Sequence, residues 1–285
     1  MQLIRTISEM QQFSKGCKLS GKTIGFVPTM GALHDGHLSI VRDSVKANDV
    51  TVVSIFVNPT QFSAGEDFNR YPRDYDGDIE KLSGLSVDAV FLPGVDSVYP
   101  DGYKTYVEVR GLSEKLCGQF RPGHFAGVAT VVLKLFNAVM PTRAYFGLKD
   151  YQQCVVIKKM TADLNLDLEI VLCPTIREHD GLAMSSRNAY LSTEERLEAP
   201  LIYKALTEAA KSVNDNSLKT NAIAQILKES LSEMKTLTEI QYASAYDPNT
   251  LDEIKTGGIT EGQRVLIAVA LKIGSTRLID NIEVD

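Results

Sequence analysis

Histidine and cysteine are both scarce in this 285-residue chain, with four residues of each. Cys17, Cys117, Cys154 and Cys173 form no C-x-x-C pair and lie mostly in apolar sequence surroundings, which favours reduced, packed thiols over disulfides or zinc ligands. An excess of positive charge is also missing. The formal net charge of −6 gives no general attraction to nucleic acid or anionic membrane, so any phosphate affinity has to come from a local site. No long hydrophobic run is present: the longest, Phe125 to Phe136, is broken by Lys134 and is too short to span a bilayer. The opening MQLIRTISEMQQF carries Glu and Gln where a secretory signal needs an apolar core, so a soluble, cytoplasmic protein is expected. Internal repeats and low-complexity linkers are absent as well. What remains is 44% hydrophobic residues, ample for the core of one large or two modest domains.

The rest of the chain is organised around Thr23 to Arg42, TIGFVPTMGALHDGHLSIVR. Ile24, Phe26 and Val27 form an apolar β-former run, which Pro28 is expected to stop because proline cannot donate to a sheet ladder. The small-residue turn Thr29-Met30-Gly31-Ala32 follows, and then Leu38, Val41 and Val45 recur at helical spacing. Strand, glycine turn and helix in that order set a helix N-terminus at the carboxyl end of a strand, where unpaired N–H groups and the positive dipole end favour phosphate. His34 and His37 fall at that spot. A helix N-terminus disfavours charged imidazole, so both are expected as neutral N–H donors that bind phosphoryl oxygens and stabilise charge developing on them. Gly36 between them lets backbone and nucleotide approach closely. A zinc site needs about three or four protein ligands and this stretch offers two, so no metal site is expected. On these residues alone, surface histidines at a helix start remain the other reading.

Residues 1 to 19 read as a short strand and an amphipathic helix. Thr51 to Val57, TVVSIFV, is a continuous β-branched run suited to a strand covered on both faces of a parallel sheet. It ends at Asn58-Pro59-Thr60-Gln61, where open α/β sheets bind ligands. Position alone fits Gln61 equally to a turn and to a ligand. Glu66 to Asp78, EDFNRYPRDYDGD, is the most charged stretch of the first half. A calcium loop starting at Asp74 fails, because Ile79 and Leu85 stand where glycine and glutamate are needed; a solvated, mobile segment entering a helix is expected instead. Val87 to Leu92 reads as the next strand. Gly118 to His124, GQFRPGH, is a basic loop ahead of an apolar helix built on Val128, Val131, Val132, Leu135 and Phe136. Arg121 and His124 there suit an anionic ligand or solvent equally.

Arg143 to Phe146 is expected as a short strand, Gly147-Leu148-Lys149-Asp150 as the turn after it, and Tyr151 to Thr161 as a helix capped by Asp150. Lys149 is a compact point charge suited to phosphate. Leu168 to Leu172 gives a further strand. Pro174 to Asn188, PTIREHDGLAMSSRN, reads as a loop of a length uncommon in compact domains unless functional. Ser192-Thr193-Glu194-Glu195 then starts a helix well, and charged helical segments follow to about Lys235 with no glycine between Asn188 and Leu251. Glu239 to Tyr246 and Val265 to Lys272 alternate as strands of a small antiparallel sheet, with Leu278 to Ile282 a third. The expected fold class is α/β. A Rossmann-like parallel-sheet domain spans 1–176, and a smaller C-terminal domain of helices plus antiparallel sheet, 177–285, serves as its lid.

His34-Asp35-Gly36-His37 resembles the H-x-G-H element of the adenylate-forming nucleotidyltransferase superfamily. The longer string PTMGALHDGH, followed in order by VNPTQF, FRPGHF, KDYQQ and GLAMSSRN, resembles the pantothenate synthetase family from about residue 20 to 190. The resemblance implies an ATP-dependent ligase that joins pantoate to β-alanine through a pantoyl-adenylate, releasing pyrophosphate and AMP. It implies ATP contacts at Met30, Gly31, Ala32, Leu33, His34, Asp35, Gly36 and His37, and at Gly147, Leu148, Lys149 and Asp150. The Ile176 backbone is implied beside the adenine, and Met184, Ser185, Ser186 and Arg187 resemble the K-M-S-K-S-like second superfamily element. Gln61 is implied at both pantoate and β-alanine, and Gln153, Arg121 and His124 at pantoate. Leu148 departs from the glutamate of most members, which puts a polar role there in doubt. Mg²⁺ on the phosphates and a homodimer are implied too, with no nucleic-acid or membrane partner.

The residues suit that chemistry. A carboxylate already carries the charge needed to attack the α-phosphorus, so the site has to supply positioning and charge stabilisation rather than a nucleophile. His34, His37, Lys149 and Arg187 are the groups assigned to that work, with Ser185 and Ser186 beside them. The acyl-phosphate anhydride so formed hydrolyses in open water, which gives a closing lid a chemical purpose. Two other readings are a nucleotidyltransferase acting on a phosphate ester and a non-catalytic nucleotide-binding module. Gln61 and Gln153 suit a small hydroxy acid better than the first, and the two histidines with Lys149 and Arg187 argue against the second.

Overall fold

Alternation decides how the first strands pack. Val27 and Val53 turn to one face of a parallel sheet, where Val41 and Leu82 from two helices meet them in one buried cluster. Phe26, next to Val27 in sequence, turns to the other face and meets Phe136 edge-on at 6.3 Å, as does Phe146. Helices thus cover both faces, as continuous apolar strands require. The structure, a computed structural model, describes residues 1–63, 65–214, 220–254 and 262–284. The chain divides into two units. One holds Met1–Glu114, Arg121–Leu148 and Gln153–Pro174; the other holds Lys115–Phe120, Lys149–Gln152 and Thr175–Asp285.

In chain order the first part runs β1 (Gln2–Ile4), α1 (Ile7–Leu19), β2 (Ile24–Thr29), α2 (Asp35–Ala47), β3 (Val50–Ile55), α3 (Tyr75–Ser83), β4 (Ala89–Phe91) and α4 (Val95–Val98). Then come α5 (Cys117–Phe120), α6 (His124–Val139), β5 (Arg143–Gly147), α7 (Tyr151–Asp163) and β6 (Glu169–Cys173). The six strands lie in the order β1-β4-β3-β2-β5-β6 and every pairing is parallel. After β2 the chain winds outward through β3 to β4, then crosses back to place β5 on the other side of β2. That reversal makes the carboxyl ends of β2 and β5 the switch point, where such sheets bind ligands.

Pro28 does not stop β2. It lies inside the strand, opposite Ser54. Thr23 and Thr29 carbonyls accept from β3, whereas Ile24 O accepts from Thr142 on the opposite side, so even-numbered residues of β2 face β5. The ladder to β5 spans only Gly25↔Arg143 and Phe26↔Ala144, so the missing N–H of Pro28 falls beyond it.

The second unit carries α8 (Thr193–Glu198), α9 (Leu201–Asn214), α10 (Thr220–Ser232), β7 (Leu237–Tyr246), β8 (Val265–Ile273) and β9 (Thr276–Val284). Ser192 and Glu195 close a capping box at the start of α8. The strands form an antiparallel sheet in the order β7-β8-β9, and Leu206, Leu227, Leu231, Ile267 and Val269 are among its buried core. Part of the charged helical run expected to about Lys235, residues 215–219, lies outside the described residues. Among the described residues no helix is long and apolar enough to cross a membrane.

Candidate active site

The turn after β2 is held from behind. Thr29 Oγ1 donates to Ser54 O at 2.7 Å and accepts from Gly31 N–H at 3.2 Å. Gly31 has φ +83° and Ala32 φ +51°, so two successive residues occupy left-handed backbone. A Cβ on Gly31 would come within 2.9 Å of Ile55 Cγ2 and 3.0 Å of Asp78 Oδ2, which fixes the choice of glycine. The N–H groups of Ala32 and Leu33 donate to the Asp78 carboxylate at 2.8 and 2.7 Å. Asp78 is 1% exposed, so the end of the charged stretch Glu66–Asp78 is not solvated as expected: α3 turns Asp78 inward to these two donors.

His34 then precedes α2 in extended conformation, φ −131° and ψ 173°. Its main-chain N–H donates to His37 Nδ1 at 3.4 Å, and the two half-buried rings lie 4.0 Å apart at 42°. An imidazole that accepts at Nδ1 keeps its proton on Nε2, so His37 presents an N–H donor. Asp35 is exposed and Gly36 half-buried in the first turn of α2.

At the end of β3, Asn58–Gln61 forms a second polar corner. The main-chain N–H of Thr60 donates to Asn58 Oδ1, as does the Tyr99 hydroxyl at 2.9 Å, which orients the Asn58 amide. Asn58 Nδ2 therefore donates to Gln61 Oε1 at 3.0 Å and to Gly127 O at 3.2 Å. Gln61, 9% exposed, has its Nε2 against Met30 Sδ at 3.1 Å, a weak acceptor. Gly127 is required here: a Cβ would lie 2.4 Å from Thr60 O and 2.8 Å from Gln61 Cα.

Arg121 and His124 meet Gln61 through its main chain. His124 Nδ1 stands 2.8 Å from Gln61 O; a carbonyl only accepts, so Nδ1 carries the proton and Nε2 accepts from Arg121 Nη1 at 3.1 Å. Arg121 also grips Glu66 through Nε and Nη2 at 2.6 and 2.7 Å. Burial pushes the Glu66 carboxyl up, but the hydrogen bonds and charge of Arg121 prevail and hold it below the ordinary value. Gly147 ends β5 opposite Cys173, and Leu148 begins the turn that follows. Gln153 is half-buried on α7.

The second unit carries the other group of expected residues. Lys149 and Asp150 sit in the 3₁₀ turn that leads straight into α7, with Lys149 Nζ 3.8 Å from Asp150 Oδ1. Asn281 on β9 donates its side-chain amide to Lys149 O at 2.9 Å. Gln152 is the structural member of the glutamine pair: it accepts from Cys117 N–H and donates to Lys115 O at 2.7 Å. Cys117 lies in polar company rather than apolar, 3.1 Å from the Tyr242 hydroxyl and 3.3 Å from Arg277 Nη2.

The expected long loop is a braced hairpin. Met184 N–H donates to Ile176 O at 3.0 Å, Glu178 N–H to Leu182 O at 2.8 Å, and Arg177 bridges to Ala183. Arg177 holds Asp280 with two nitrogens at 2.6 and 3.0 Å, reaches Gly181 O at 3.1 Å and stacks on Tyr203 at 3.8 Å. Arg196 grips Glu178 and Asp180 at 2.6 and 2.7 Å. Ser185 Oγ accepts from Arg187 N–H at 3.3 Å, starting the turn Ser186–Tyr190. Two hydroxyls and a guanidinium follow a rigid hairpin, a set suited to phosphoryl oxygens.

Asp78, Gly127 and Asn281 escape a reading of local motifs, because their partners lie 46, 69 and 132 residues away in sequence. The signal for Asp78 was a single acid in a charged run, and nothing in its spacing set it apart from Asp74 or Asp76.

Known proteins resemble this chain over its whole length. The family profile described as Pantoate-beta-alanine ligase matches residues 2–283. A pantothenate synthetase of Thermodesulfovibrio yellowstonii is 55% identical over 285 residues, covering 100% of both chains. The solved pantothenate synthetase of Thermus thermophilus superposes with a TM-score of 0.91 at 43% identity over 99% of each chain. A pantoate-β-alanine ligase of Francisella tularensis, solved with β-γ ATP and β-alanine, superposes with a TM-score of 0.80 at 35% identity, over 99% of this chain and 97% of that one.

Proposed function

The chain belongs to the pantoate-β-alanine ligase family and joins pantoate to β-alanine with ATP as co-substrate, and from that premise we propose how its residues carry the reaction. A pantoate carboxylate oxygen attacks the α-phosphorus of ATP; the bond to the bridging oxygen breaks and pyrophosphate leaves. The amine of β-alanine then attacks the acyl carbonyl, AMP departs with the bonding pair, and a proton is lost from nitrogen. The observation that carries the assignment is the contact from His34 N–H to His37 Nδ1 at the start of α2. It turns His37 Nε2–H into a fixed donor for the oxygen on which charge develops. His34, Lys149, Ser185, Ser186 and Arg187 share the phosphates. The turn Met30 to Gly36, Gly147 to Asp150, the Ile176 main chain and Met184 line the rest of the nucleotide.

Gln61 and Gln153 hold pantoate, and Gln61 also meets β-alanine. The support for Gln61 is its amide, oriented by Asn58 with Nε2 left against sulfur. Arg121 and His124 serve pantoate by fixing the Gln61 carbonyl. The Leu148 side chain is apolar where the family usually carries glutamate, so it serves the nucleotide by packing alone.

Magnesium enters as part of MgATP. This ion takes phosphate oxygens and water in preference to a dedicated protein cage. It supplies charge neutralisation on the phosphates when bound. A cytoplasmic homodimer completes the proposal, on the family resemblance, and light scattering of the purified protein tests the dimer.

Pyrophosphate release from MgATP with pantoate, with and without β-alanine, tests the whole reading. Release that needs pantoate, with AMP and pantothenate appearing only on adding the amine, is the expected result. No pantoate-dependent release from folded, ATP-binding protein would overturn the adenylation scheme.

A further inference from the structure

We propose that Asp78 is a positioning residue for adenylation: it fixes the turn that delivers His34 and His37, and withdraws two main-chain donors from the phosphates. The proposal rests on the reading of the histidines given above. Ala32 carries a side chain in left-handed backbone, a conformation that costs about 1–2 kcal/mol for a residue with a Cβ. Something outside the turn has to hold it. α3 does so with two side chains one turn apart: Asp78 takes the N–H groups of Ala32 and Leu33, and Lys81 Nζ donates to Leu33 O at 2.8 Å. The main chain is thus gripped at three polar atoms of two consecutive residues just before His34.

The choice of acid is informative. A buried carboxylate is expensive, and one beside a polyphosphate repels the ligand. An asparagine of the same shape would avoid both penalties, but it has one acceptor oxygen and would set an N–H₂ against a main-chain N–H. Only a carboxylate offers an acceptor to each of two donors. Gly31 is matched to it, since a Cβ there would touch Asp78 Oδ2 at 3.0 Å. With Ala32 and Leu33 engaged by the carboxylate, neither of these two main-chain N–H groups is offered to phosphate. Asp78 thereby decides which atoms meet the nucleotide without touching it.

The test compares wild type with Asp78→Asn and with Lys81→Met, which removes the carbonyl contact from a half-exposed position. Each is assayed for pantoate-dependent pyrophosphate release, KM for ATP and for pantoate, and thermal midpoint. A displacement of about an ångström costs on the order of 10²-fold in rate. Asp78→Asn should therefore lose on that order in kcat, with KM for ATP raised and KM for pantoate unchanged within about twofold. Lys81→Met should show the same ATP-selective signature, several-fold in size. Should Asp78→Asn not fold, Lys81→Met decides. Wild-type kinetics in the folded variants, or equal losses toward ATP and pantoate, would overturn the proposal. The wild-type arm tests the adenylation reading by itself: if it releases no pyrophosphate with pantoate, that reading fails, and ATP binding by the variants still reports on the turn.

Discussion

Asn281 donates its side-chain amide to the main-chain carbonyl of Lys149 at 2.9 Å. The contact ties a residue of β9 to the turn that carries Lys149, the lysine proposed for the phosphates. Its neighbour Asp280 holds Arg177 at the base of the Ile176–Arg187 hairpin. Two adjacent side chains of one strand therefore set two stretches that are far apart in sequence. Asn281→Ala should slow pantoyl-adenylate formation on the order of 10-fold, a fraction of the loss for an ångström of displacement. Single-turnover measurement of the adenylate checks it, and an unchanged rate would free Lys149 from this anchor.

Gly127→Ala adds a Cβ 2.4 Å from Thr60 O, and the neighbour is main chain that cannot swing aside. Overpacking of this kind costs about 1–3 kcal/mol. The displaced residue is Gln61, so KM for pantoate should rise more than KM for ATP. Steady-state kinetics in both substrates, with a thermal melt beside them, separates the local shift from general destabilisation.

On the role proposed for its Nε2–H, His37→Ala should lower kcat by roughly 10²-fold or more while the fold persists. Gln153→Ala should instead raise KM for pantoate with ATP unaffected. An intact rate in the first variant, or equal KM effects in the second, would remove the residue from its assigned role.

Glu66 links pH to stability. Burial opposes its charge, but Arg121 outweighs burial and holds the folded carboxyl below its ordinary value of 4.5. Such a group stabilises the fold above its unfolded value, and the contribution disappears as pH falls through the folded value. The gap in thermal midpoint between wild type and Glu66→Gln should therefore narrow on lowering pH from about 6 to about 3. A gap that stays constant over that range would contradict the ion pair as its source.

Periodicity made most of the fold legible. The β-branched run at Thr51, the apolar helix at Val128 and the strand at Val265 all reappear as elements, because continuous apolar sequence suits burial on more than one face; the strand at Val265 is buried without a break to Leu271 rather than on alternate residues. Pro28 misled, since the rule that excludes proline from a strand depends on which side has a partner, and pairing is a tertiary property. The expected open loop after Pro174 turned out to be braced, because its ties to Asp280 and Arg196 come from outside the loop. Asp78 shows the same limit. A carboxylate in a charged run looks solvated until the donors 46 residues earlier are brought to it.

The second unit is assembled from three separate pieces of chain, two of them only a few residues long. During synthesis the last residue of the first unit, Pro174, leaves the ribosome well before β9 exists, so the parallel sheet has all its strands while Lys149 still lacks its anchor. Nascent or prematurely terminated chains ending before Asn281 would then carry both histidines on an intact sheet without a seated lysine.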